Sequence, residues 1–169
     1  MDVNIVKGVR FGLTADTHDD KTDWPAVLAS LKAAWGQIDG VLHCGDITTA
    51  GALQALAGVA PVYATRSSGD PPAAPPMLAD GPRVLEIEGV RVGLTFVLGE
   101  DAQSAEGAAR LFDGPVAACI FGGTHAASIV ETDGVLFVNP GSPSLAKTRT
   151  AAVLAIEGGK ASAEILSMP

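Results

Sequence analysis

Short apolar runs alternate with alanine-rich helical patterns through the first half of the chain. Val9 to Thr14 is an apolar run that ends in the polar cluster Asp16-Thr17-His18-Asp19-Asp20, which reads as a buried strand feeding a loop. A helix is predicted from about Pro25 to Trp35, with proline in its first turn and Asp23 as its cap. Gly40 to His43 predicts a second strand, Thr49 to Leu56 a second helix and Pro61 to Thr65 a third strand. Strand–helix–strand–helix–strand is the pattern of a parallel sheet with right-handed crossovers.

The second half changes character. Asp70-Pro71-Pro72-Ala73-Ala74-Pro75-Pro76 suits neither helix nor central strand and reads as a surface loop. Hairpin turns follow: Glu88-Gly89 between two apolar runs, Asp133-Gly134 between Ser128–Thr132 and Val135–Val138, and Gly158-Gly159 near the end. One helix, roughly Ala102 to Leu111, interrupts them. Parallel units followed by hairpins predict an α/β fold of two mixed sheets packed face to face with helices outside. No internal repeat or linker divides the chain, so residues 1–169 are expected to form a single domain.

Composition agrees with a packed globular protein: 169 residues, 47% hydrophobic and 18% charged. The net charge of −8 argues against nucleic acid as a partner, since phosphates would be repelled. The first residues lack the apolar core of a secretory signal, and no apolar run is long enough to span a bilayer. Cys44 and Cys119 lie far apart and outside any C-x-x-C pattern, which suits reduced, buried thiols in a cytoplasmic protein.

The chain has three histidines, His18, His43 and His125, each at or beside the C-terminal end of an expected strand. Ligands bind at such ends in open α/β sheets. Asp16 and His18 stand two residues apart after the first strand. Gly45-Asp46 follows the second, and Gly122-Gly123-Thr124-His125 follows the apolar run Val116 to Phe121. Two carboxylates and two imidazoles converging there would suit Mn²⁺, Fe or Zn²⁺. The same aspartates would also serve as helix caps and turn formers, and each histidine as a hydrogen-bonded core residue. No single motif decides between these readings.

Together the motifs are specific. The ordered set ADTHD, HCGDI, VYATRSSGD, GLTFVLGE, FGGTHAA and NPGSPSL resembles the calcineurin-like metallophosphoesterases. The likeness is greatest to their small bacterial and archaeal phosphodiesterase branch, which also includes a eukaryotic retromer subunit. It runs from about Val9 to Ile156. The resemblance implies a four-layer αββα sandwich with a two-metal site. It assigns Asp16, His18, Asp46 and His125 to the first metal, with Asp46 as the bridging carboxylate. His43 would support Asp46 from behind, Asp70 would brace its loop, and the Asn139-Pro140-Gly141-Ser142 turn would shape the pocket floor. Ser142 is the lesser candidate to touch a phosphate, and Arg66, by its guanidinium's capacity to hold two oxygens at once, is either a phosphate clamp or an exposed surface residue.

The second metal's positions depart from the family pattern. The asparagine of the family's G-N motif is Ser68, the ligating histidine after the strand at Val92 to Thr95 is Phe96, and the first histidine of G-H-x-H is Gly123. Gly69 stands where some relatives carry a histidine acid. Replacement ligands would have to come from Asp19, Asp70 or Glu100. The expectation is one divalent ion (Mn, Fe or Zn), a second ion weak or absent, and phosphoester hydrolysis weak or lost. The alternative is a non-catalytic binding module, with Phe96, Val97 and Leu98 forming an apolar patch at the mouth of the site. Expected partners are a small phosphoester or a protein, with a homo-oligomer possible by family habit.

Overall fold

A computed structural model describes residues 1–74 and 76–169; Pro75, within the expected proline loop, lies outside the described residues. Twelve strands are described: β1 Val3–Val6, β2 Arg10–Thr14, β3 Gly40–Cys44, β4 Val62–Thr65, β5 Leu78–Ala79, β6 Arg83–Ile87, β7 Val90–Leu94, β8 Ala118–Ile120, β9 Ser128–Thr132, β10 Val135–Asn139, β11 Thr150–Glu157 and β12 Lys160–Ser167. Three α-helices accompany them: α1 Trp24–Trp35, α2 Ala50–Ala57 and α3 Ala105–Leu111. None of the described helices is long and apolar enough to cross a membrane.

The strands form two six-stranded mixed sheets, ordered β12-β11-β2-β3-β4-β5 and β1-β6-β7-β8-β10-β9. In the first, β2, β3, β4 and β5 run parallel, and β11 closes antiparallel on β2. All three expected hairpin turns are present, joining β6 to β7, β9 to β10 and β11 to β12. Glu88 and Asp133 adopt the left-handed backbone those tight turns require.

Three buried clusters divide the molecule into layers. Phe11, Leu13, Leu42, Leu85, Val92 and Ile120 fill the space between the sheets. Leu31, Trp35, Leu53 and Leu56 cover the first sheet from the α1 and α2 side, and Phe112, with Ala108 of α3, covers the second. The result is the expected αββα sandwich. Each outer layer sets an aromatic ring on a strand glycine. A Cβ on Gly12 would meet the Trp35 ring at 2.5 Å, and one on Gly93 would meet Phe112 at 2.5 Å. These contacts bring the outer rings against backbone, where any larger residue would overpack.

The helices start where their caps allow. Asp23 accepts from the Ala26 amide at the head of α1, and Thr49 from Ala52 at the head of α2. The third helix begins later than its apolar pattern suggested, at Ala105. Glu100–Ala102 forms a 3-10 turn, and the Ser104 side chain then accepts from the Gly107 amide.

Candidate metal centre

Three loops meet above the ends of β2, β3 and β8. The Asp16 amide donates to the Gly45 carbonyl at 3.0 Å and the His18 amide to the Asp46 carbonyl at 2.9 Å, so the loops after β2 and β3 are bound backbone to backbone. The loop after β8 joins them through the Gly123 amide, which donates to both Asp16 carboxylate oxygens at 3.0 and 3.1 Å. From below, the Ser142 hydroxyl donates to the Asp16 carbonyl and that of Ser144 to the Thr17 carbonyl, each at 2.8 Å.

These anchors hold an unusual backbone. Asp16 (φ 51°), His18 (φ 41°), Asp46 (φ 56°) and His125 (φ 59°) all occupy the left-handed region. Non-glycine residues rarely do so, and such strain gathers at sites that need side chains aimed in a particular direction.

Here the aim is convergence. One ligand atom from each of Asp16, His18, Asp46 and His125 lies within 4.8 Å of all the others, the only such metal-competent group among the described residues. His18 Nε2 lies 3.3 Å from Asp46 Oδ2. The pair is close but not aligned as a hydrogen bond, and both ring nitrogens of His18 are buried without a partner. The ring's one free lone pair therefore has no protein donor, which fits a shared cation. The His18 and His125 rings stand 5.3 Å apart, tilted by 42°. Burial pushes the Asp16 carboxyl up to about 6, against the pull of His125 and the Gly123 amide. An ion is the kind of positive charge that would restore its ionised form.

His43 makes no hydrogen bond to the Asp46 side chain. Its Nε2 lies 3.0 Å from the Thr17 hydroxyl, which reaches the Asp46 carbonyl at 3.3 Å. Burial drives the ring down to about 3, with His18 adding to the effect, so it is neutral. Cys44 and Cys119 are buried free thiols, Cys44 raised well above its ordinary range and Cys119 to about 12, both chiefly by burial.

The positions that the resemblance assigns to a second metal lie as follows. The Phe96 ring is pressed on Gly45, where a Cβ would sit 2.3 Å from its Cδ2, and it also reaches Gly123. Ser68 is exposed. Ser67, not singled out from the sequence, carries the contact instead: its hydroxyl donates to Asp46 Oδ1 at 2.5 Å. A serine pair after a strand gives no sign of which hydroxyl turns inward.

Other expectations need correction. Leu98 is not at the mouth; it is buried with Phe112 on the α3 side, and only Val97, 58% exposed, joins Phe96 there. Arg66 is not a free phosphate clamp, because its guanidinium binds Asp80 at 2.8 Å and the Asp70 carbonyl at 3.0 Å. The Ser142 hydroxyl is likewise committed to backbone. Asp19 is taken up by Thr48 and Thr49, while Asp70 accepts from the Thr48 and Ser67 amides. Glu100 is exposed in its 3-10 turn.

The four-layer fold agrees with comparison to known proteins. A calcineurin-like phosphoesterase superfamily domain matches residues 9–159, and the chain belongs to that superfamily. A probable metallophosphoesterase of Methanothermobacter thermautotrophicus is 30% identical over 164 residues, covering 92% of this chain and 90% of its own. Among solved structures, a novel archaeal phosphodiesterase superposes with a TM-score of 0.73 at 21% identity, covering 93% of this chain and 99% of that one. Vps29 of Chaetomium thermophilum does so with a TM-score of 0.72 at 18% identity, covering 94% and 96%.

Proposed function

We propose that this chain holds one divalent ion on Asp16, His18, Asp46 and His125, and that it hydrolyses phosphoesters slowly, on activated substrates, or not at all. The observation that carries the reading is the convergence of those four donors within 4.8 Å while a phenylalanine ring is pressed on the neighbouring Gly45 and reaches Gly123. Two carboxylates and two neutral imidazoles suit Mn²⁺, Fe or Zn²⁺ and cancel a double positive charge. When bound, such an ion polarises a phosphoryl oxygen and acidifies bound water.

The second ion's positions carry Ser68, Phe96 and Gly123; of the expected replacement ligands Asp19 and Asp70 are committed elsewhere, and Glu100 is exposed in its 3-10 turn. The same inventory limits proton transfer. Two of the three histidines belong to the donor group and the third, His43, is buried and neutral. No imidazole is left to protonate a leaving group, so the reading favours esters whose leaving group departs as a stable anion. Loss of half of a two-ion clamp costs on the order of several kcal/mol in transition-state stabilisation.

A second reading is a non-catalytic module that keeps one ion and binds a protein. The exposed Val97 beside the Phe96 ring favours it, as does likeness of fold to Vps29. One experiment separates the two: metal content, then hydrolysis of bis(p-nitrophenyl) phosphate with Mn²⁺, for the native protein and Asp46→Asn. A native rate above that of the variant supports the enzyme. Equal rates remove it and leave the binding module.

A further inference from the structure

We propose that Ser67 is a positioning residue for the metal group, its hydroxyl holding one oxygen of Asp46 so that the other is turned toward the ion. The inference rests on the one-ion reading. Asp46 divides its two oxygens between different neighbours. Its Oδ2 lies 3.3 Å from His18 Nε2, within the donor group, while Oδ1 accepts the Ser67 hydroxyl at 2.5 Å. One oxygen is thus held by a proton donor of the protein's own, which sets the direction of the other.

Ser67 is not a surface residue that happens to swing inward. It is 6% exposed, and its amide donates to Asp70 Oδ2 at 2.9 Å. The other Asp70 oxygen accepts the Thr48 amide at 3.0 Å, in the loop that carries Asp46 toward α2. The Thr48 hydroxyl continues to Asp19 and Asp20 in the loop after His18. Arg66 ties the same segment to Asp80 and to the Asp70 carbonyl. Three loops thus fix the Ser67 backbone, and the hydroxyl inherits a set direction. Hydrogen bonds of this kind orient metal-binding side chains, and their loss typically weakens metal affinity about 10- to 100-fold.

The test is titration of chelator-treated protein with Zn²⁺ by calorimetry, and with Co²⁺ followed by its visible spectrum, for native protein, Ser67→Ala, Ser67→Val and Ser67→Thr. Native protein is expected to bind one equivalent. Ser67→Ala and Ser67→Val, the hydroxyl-free isostere of the threonine variant, should bind one equivalent about 10- to 100-fold more weakly, with an altered Co²⁺ spectrum. Ser67→Thr, which keeps the hydroxyl, should restore both. Melting temperatures in chelator confirm that each variant is folded, and Ser67→Val stands in should Ser67→Ala fail to fold. One native equivalent with native-like affinity and spectrum in the Ala and Val variants, or no rescue by Thr, overturns the role of Ser67 alone. No native equivalent, or two, overturns the one-ion reading and this inference with it.

Discussion

The ring of Phe96 lies so close to Gly45 that a Cβ there would fall 2.3 Å from the ring's Cδ2 and 2.8 Å from its Cγ. Gly45 also has φ of 81°, and it directly precedes Asp46. Gly45→Ala should therefore destabilise the protein twice over, by strain at positive φ and by about 1–3 kcal/mol of overpacking against the ring. In a Phe96→Ala background only the backbone cost should remain. Urea denaturation of the four proteins of that cycle measures the coupling, and additive effects would show that the ring is not fixed against Gly45.

Stability should depend on pH through His43. Its folded pKa is lowered from 6.5 to about 3, so between those values the unfolded chain binds a proton that the native state refuses. Acid therefore destabilises: each bound proton is worth about 1.4 kcal/mol per pH unit, lost progressively as pH falls below 6.5. Asp16, raised to about 6, works in the opposite direction in the metal-free protein. Comparing native protein with His43→Gln by urea denaturation between pH 7 and 4 isolates the imidazole. The variant should lose less stability over that range, and parallel profiles would contradict the burial argument.

Ser142→Ala should weaken the floor of the site. The mutation removes the donor to the buried Asp16 carbonyl and the acceptor for the Ser144 and Leu145 amides. That carbonyl is left with only the long 3.5 Å contact from the Ser144 hydroxyl, and a lost buried hydrogen bond costs about 1–3 kcal/mol. Because the bond also holds Asp16 at φ 51°, Zn²⁺ affinity should fall as well. Denaturation in chelator and zinc titration read the two effects separately.

On the proposed one-ion reading, supplying the ligands that the resemblance assigns to a second metal should admit a second ion. Ser68→Asn, Phe96→His and Gly123→His together are expected to raise bound Mn²⁺ from one to two equivalents and to accelerate aryl phosphodiester hydrolysis. Replacing the ring at 96 also clears space for the new side chain at 123, where a Cβ lies 3.7 Å from Phe96 Cε2 and 3.1 Å from Val97. A triple variant with one equivalent and unchanged rate would mean that these are not the second ion's positions.

Much of this protein is written in short stretches of its chain. The apolar runs that became β2, β3 and β4, the caps Asp23 and Thr49, and the turns at Glu88-Gly89, Asp133-Gly134 and Gly158-Gly159 depend on neighbours a few residues away, so local periodicity and turn chemistry suffice to find them. Strand ends then bring Asp16, His18, Asp46 and His125 near one another, because parallel strands deliver their C-terminal loops to one edge. Local pattern did not reveal β1, whose Ile5 is 82% exposed and which becomes a strand by pairing with β6 some eighty residues later. Nor could it tell that Ser67 rather than Ser68 turns toward Asp46, that Leu98 enters the core, or that Arg66, Asp19 and Asp70 are already bonded. Those outcomes depend on which partners distant loops bring within reach, and only the folded chain decides them.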